Sequence, residues 1–152
     1  MGRRAVYMYG ALLPKDEKGS VGSGLGQVNA YGKQSNALPT IEIARTGEKL
    51  NIDGLEMEFI FAEATEAPTE IMIYLPQYKA FCTAEEMNHT LHNLLTLRGA
   101  QVRNGRNWSK TIDEAIRLYG DKVEVSFGTH HWPTWGNREI VTFWENQRDL
   151  YR

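Results

Sequence analysis

The sequence predicts an α/β fold: a mixed sheet with flanking helices packed mainly on one face. Three observations point there. Residues 48–52 and 55–61 flank Asp53-Gly54, a preferred two-residue turn, and 55–61 alternates apolar with polar residues, so together they read as a β-hairpin. Further on, 71–75 is a short apolar run of strand length, and Val123-Glu124-Val125-Ser126-Phe127 reads as a further strand. Residues 109–119 and 139–151 instead repeat apolar positions at helical spacing. A hairpin followed by strand, helix, strand and helix builds one half of a layered sandwich more readily than a closed domain.

Taken in order, residues 3–13 read as a short amphipathic helix or strand rich in tyrosine, stopped by Pro14. Residues 15–39 are mostly Gly, Ser, Asn and charge. That is too long for a routine connection, and such loops tend to be functional or mobile. The chain is thus one partial domain over 1–152, with a long loop at 15–39 and sheet and helices at 40–152. Thr40-Ile41-Glu42-Ile43 alternates like an edge strand. In the second hairpin strand Leu55, Met57, Phe59 and Phe61 face one way, toward a core. The 71–75 strand ends at Pro76, and Phe81 lies in the next strand. Residues 91–97 are apolar at helical spacing. In 109–119, Ile112, Ala115, Ile116 and Tyr119 share a face, and Gly120 is the stop signal.

Composition narrows the function classes. The chain has 152 residues, 41% of them apolar and 24% charged, as an ordinary globular domain does. Its formal charge of −2 gives no general pull toward nucleic acid. No apolar run approaches the roughly 18 residues that a bilayer span needs. Residues 1–6 lack the apolar core and cleavage site of a signal peptide. The single cysteine, Cys82, excludes an intramolecular disulfide, and its strand-like surroundings suit a small core residue rather than a nucleophile.

Chemistry-bearing residues are densest in 82–103, which holds Glu85, Glu86, His89, His92, Asn93, Arg98 and Arg103. Polar groups at the end of a strand are where α/β enzymes usually place their chemistry. A solvated loop with a capped helix has the same composition. Two further clusters also leave strands: Thr65-Glu66-Ala67-Pro68-Thr69-Glu70 and Thr129-His130-His131-Trp132-Pro133-Thr134-Trp135-Gly136-Asn137. If those strands are neighbours, Glu66, Glu85 and His130 converge at one sheet edge. Two carboxylates and an imidazole suit zinc, which takes oxygen and nitrogen ligands alike. A solvated surface Glu and a packing His fit the same residues.

Long runs here also resemble a family. Thr96-Leu97-Arg98-Gly99-Ala100-Gln101-Val102-Arg103, His130 to Asn137, Thr65-Glu66-Ala67-Pro68 and His89-Thr90-Leu91-His92-Asn93 are similar to the metallo-β-lactamase-type alkylsulfatases. The resemblance extends over nearly the whole chain. It implies the later half of an αββα sandwich, a two-zinc site, and hydrolysis of alkyl sulfate esters such as dodecyl sulfate to alcohol and sulfate. It further implies that Glu66 fills a slot where many relatives have a zinc-binding histidine, that Glu85 bridges the metals, and that His130 is the last histidine ligand. Asn93, Arg98 and Arg103 fall where the family holds the sulfate group, and arginine's planar donor fork suits that oxyanion. His89 and His92 match the family too and read as supporting or packing residues. Bacterial members imply a periplasmic or secreted setting.

Two departures qualify the resemblance. Glu63-Ala64 stands where the family usually has Pro-Gly, so the turn that places Glu66 lacks glycine's freedom. The family's His-x-His-x-Asp-His motif is absent, and the chain's four histidines are His89, His92, His130 and His131. The expectation is therefore the C-terminal half of the catalytic domain, with a partial zinc site, inactive alone, and associating with itself or a partner chain. The competing expectation is a non-catalytic remnant or an interaction subunit.

Overall fold

The computed structural model describes residues 2–20, 22, 33 and 35–152. The chain forms two compact units, one of residues 1–40 with 95–102, the other of 41–94 with 103–152. In the first, helix α1 (Gly2–Met8) takes the helical option for the tyrosine-rich start. Its C-terminal end is closed by Ala11 N–H donating to Val6 O at 2.9 Å, around Gly10 at φ +60°. Arg98 also belongs to this unit, where its guanidinium donates to the Tyr9 hydroxyl at 3.3 Å. Of the long 15–39 loop, residues 21, 23–32 and 34 lie outside the described residues.

The second unit is built on a six-stranded mixed sheet, in the order β1-β2-β3-β4-β5-β6. Strands β1 (Lys49–Ile52) and β2 (Leu55–Phe61) form the expected hairpin, with Ile52 opposite Leu55. Asp53 and Gly54 both take positive φ, +52° and +85°, which matches the twist of the flanking strands. Asn51 Oδ1 accepts from Gly54 N–H and locks the turn. Strands β3 (Ile71–Leu75) and β4 (Ala80–Cys82) continue the sheet antiparallel. Helix α2 (Gly105–Tyr119) then carries the chain over to β5 (Val125–Phe127), which pairs parallel with β4. Strand β6 (Thr134–Trp135) adds a short edge, and α3 (Asn137–Leu150) packs beside α2. Helix α2 starts a turn earlier than its periodicity suggests, because Asn104 Oδ1 accepts from Asn107 N–H at its N-terminus.

The buried core lies between the sheet and the two long helices. Ile60, Met72, Tyr74 and Phe81 project from the sheet against Trp108, Ile112, Ala115, Tyr119, Ile140 and Trp144. This corrects the expected orientation of β2. The helix-side core takes Ile60, whereas Leu55, Met57, Phe59 and Phe61 line the sheet's other face. On that face Phe59 is buried, its cross-strand neighbours Ile73, Cys82 and Phe127 are half-buried, and Ile71 and Trp135 are exposed. Trp144, by contrast, is fully inside the helix-side core.

Two expected elements do not form. Thr40-Ile41-Glu42-Ile43 is irregular: residues 47 and 48 already pair with Phe59, which leaves the earlier segment no ladder to join. Residues 91–97 are not helical either, because Leu91, Leu94, Leu95 and Leu97 are exposed and bury no apolar stripe. Side chains take up the backbone groups of His92 and Asn93 instead. The Tyr151 hydroxyl accepts from His92 N–H at 3.2 Å, and Arg103 donates to Asn93 O at 3.1 Å.

Candidate metal and oxyanion site

The polar residues at the strand exits assemble because the 83–88 loop is tied to the end of β5. Thr83 N–H donates to Phe127 O at 2.7 Å, and Thr129 N–H donates to Ala84 O at 3.1 Å. Gly128 makes the approach possible: a Cβ there would sit 2.6 Å from Thr83 Oγ1 and 2.7 Å from Ala84 O. Ala84 takes φ +50°, and the next two residues diverge. Glu85 turns outward to a half-buried position, while Glu86 turns inward and is fully buried.

Glu85 Oε2 lies 3.3 Å from His130 Nε2 and 3.4 Å from His92 Nε2. Among the described residues these three offer ligand atoms within 4.8 Å of one another. His92 Nδ1 lies 3.1 Å from Asn93 O. Nδ1 is thus placed to donate to a carbonyl, while Nε2 faces the carboxylate. A metal-binding imidazole is commonly held by such a bond through its other nitrogen. One carboxylate and two imidazoles directed at one point form a donor set that fits zinc.

Glu66 sits at the side of this group, its Oε1 3.9 Å from His92 Nε2. Its carboxylate is paired with Arg103, whose Nε also donates to Glu66 O. The same guanidinium donates to Asn93 Oδ1 at 3.1 Å, so Arg103 joins Glu66 to Asn93. The structure therefore gathers Glu66, Glu85, His130, Asn93 and Arg103 in the second unit, and Arg98 lies in the first. The sequence reading left His92 out of the donor set. Its ring reaches the carboxylates because Tyr151, from beyond α3, holds its backbone at both N–H and C=O. Burial pushes the Tyr151 hydroxyl up to about 12, so it keeps the proton it donates. His89 does behave as a packing residue, stacked on Phe143 at 4.1 Å between ring centroids.

Two more carboxyls flank the site. Glu70 is pushed up to about 7, first by burial and then by the charges of Glu66 and Glu85. Burial pushes Glu86 up to about 8, opposed by hydrogen bonds from the Thr65 side chain and the Glu66 backbone. The fold thus prefers Glu86 neutral. Its stabilising contribution is complete below the ordinary carboxylate value of 4.5 and is lost as pH rises through about 8. Urea unfolding should show wild-type stability falling over that window by up to ~1.4 kcal/mol per pH unit relative to Glu86→Gln, which cannot ionise. Parallel pH profiles for the two proteins would refute this.

No protein-family model matches the chain. Over all its residues it is 49% identical to a linear primary-alkylsulfatase of Pseudomonas sp., covering 23% of that protein. The crystal structure of a stereoselective inverting sec-alkylsulfatase from Pseudomonas sp. superposes with TM-score 0.82 at 37% identity, over 98% of this chain and 24% of that one. A metallo-β-lactamase from Pontibacter korlensis shares the fold, with TM-score 0.54 at 18% identity over 74% of this chain and 50% of its own. The chain spans about a quarter of the length of the alkylsulfatases it matches. End to end, in sequence and in fold, it matches a portion of the alkylsulfatases, and it shares its fold with a metallo-β-lactamase.

Proposed function

We propose that this chain supplies one side of the active centre of a zinc-dependent alkyl sulfate ester hydrolase. The observation that carries the proposal is the convergence of Glu85, His92 and His130 on one point, in a chain 49% identical to a linear primary-alkylsulfatase. Bound zinc would supply Lewis acidity and a hydroxide from its water at neutral pH. Glu85, His92 and His130 would hold the metal, and Glu66 would add a carboxylate beside them. Asn93, Arg98 and Arg103 are assigned to the sulfate by resemblance, with the Arg103 guanidinium held between Glu66 and Asn93.

The site is partial. Tightly held zinc takes four ligands, and three converge here. The two other histidines are engaged elsewhere, His89 against Phe143 and His131 near the Thr90 hydroxyl. The remaining ligands therefore come from outside this set, and association is the means. The apolar sheet face of Leu55, Met57, Phe61 and Ile71 favours it, because covering such surface is worth about 25 cal/mol per Å². The same face supports a second reading, a non-catalytic subunit that docks through it.

The test uses the purified chain: zinc content by equilibrium dialysis, mass in solution by light scattering, and hydrolysis of dodecyl sulfate. Weak zinc binding, a species larger than the monomer and little turnover are expected. A monomer with zinc-dependent turnover overturns the partial-site reading. A chain that takes up no zinc overturns the metal assignment and leaves the docking subunit.

A further inference from the structure

Glu86 is fully buried, and neither the metal group nor the oxyanion holders use it. Its backbone is pinned from two sides: Trp108 Nε1 donates to Glu86 O at 2.7 Å, and Glu86 N–H donates to Thr83 O at 2.9 Å. Its side chain reaches across to the turn that carries Glu66. There Oε1 lies 2.7 Å from Thr65 Oγ1 and 3.5 Å from Glu66 N, while Oε2 has no partner among the described residues.

The Thr65 hydroxyl has a single proton and lies within reach of two oxygens, Glu86 Oε1 and, at 3.0 Å, Ala62 O. Thr65 therefore bridges the Glu86 carboxyl, to which its hydroxyl donates at 2.7 Å, and the end of β2, while Glu66 N–H faces the same carboxyl oxygen. The relay then runs from the residue beside Glu85, through Thr65, to the backbone at the end of β2. The turn needs such support, because Ala64 holds φ +54° where glycine would be relaxed.

We propose that Glu86 is a positioning residue, a buried carboxyl that pins the Thr65-Glu66 turn to the Glu85 loop and so sets the spacing between the two metal-facing carboxylates. The inference rests on the metal reading for its consequence, though the pin itself does not depend on it. Groups that hold metal-facing residues from behind typically change affinity by ~10- to 100-fold when removed.

The experiment compares Glu86→Gln, Glu86→Met and Thr65→Val in the full chain by amide hydrogen exchange at Thr65 and Glu66 and by zinc competition. Glutamine keeps an oxygen that accepts from Thr65 and from Glu66 N–H, so Glu86→Gln should match wild type in both. Glu86→Met and Thr65→Val should each speed exchange at the Glu66 amide and weaken zinc by about 10-fold or more. Combining them should add little, because both cut the same relay. Two results overturn the proposal: Glu66 exchange unchanged in both truncations, or Glu86→Gln as damaging as Glu86→Met. If Glu86→Met fails to fold, Thr65→Val decides by the same readout. A wild-type chain that takes up no zinc counts against the metal assignment, and the exchange pattern still decides the pin.

Discussion

Trp108→Ala is expected to cost about 3–5 kcal/mol. Trp108 is fully buried on the inner face of α2 and stacks on Tyr151 at 4.3 Å between centroids, with planes 10° apart. Truncation removes that contact, opens a cavity and leaves the Glu86 carbonyl without its donor. The loss is a large share of the 5–15 kcal/mol that holds a typical domain together. It should also reach the site, because Tyr151 is the residue that holds the His92 backbone. Urea midpoints give the stability, and zinc competition on the folded fraction gives the effect on the site. Trp108→Phe keeps most of the apolar area and should cost about 1–3 kcal/mol, chiefly from the orphaned carbonyl. Equal losses in the two variants would mean that packing against Tyr151 contributes little.

The second large effect is on metal affinity. Glu85→Ala removes the carboxylate that faces both His92 and His130, leaving two imidazoles in that group. Zinc affinity should fall by more than the ~10- to 100-fold seen when an outer partner is removed. Stability should change little, because the Glu85 side chain is about a third exposed. Competition against a chromophoric chelator measures the affinity, with His131→Ala as the control outside the donor group. Unchanged affinity in Glu85→Ala would place any bound zinc elsewhere on the chain.

What could be read from the sequence is what local forces settle. The hairpin was legible because Asp53 and Gly54 tolerate the dihedrals that the turn needs. Helices α2 and α3 were legible because their apolar positions repeat at helical spacing, and β3 because it is short, apolar and stopped by Pro76. The strand-exit clusters could be named for the same reason: Glu66, Glu85 and His130 each follow a readable strand. Tertiary structure decided the rest through contacts distant in sequence. The leucines of 91–97 carry a helical pattern, yet they remain exposed and bury no apolar stripe. Thr40 to Ile43 alternates like a strand but meets no open ladder, since 47 and 48 already occupy the pairing beside Phe59. Which of two adjacent glutamates points inward follows from the turn at Ala84 and the tie to β5, neither of which side-chain type reveals. His92 joins the donor group only because Tyr151, 59 residues further on, holds its backbone. Periodicity and turn chemistry act over a few residues and are written in the chain, whereas the site depends on which distant side chain reaches a given backbone group first, and only the packed fold determines that.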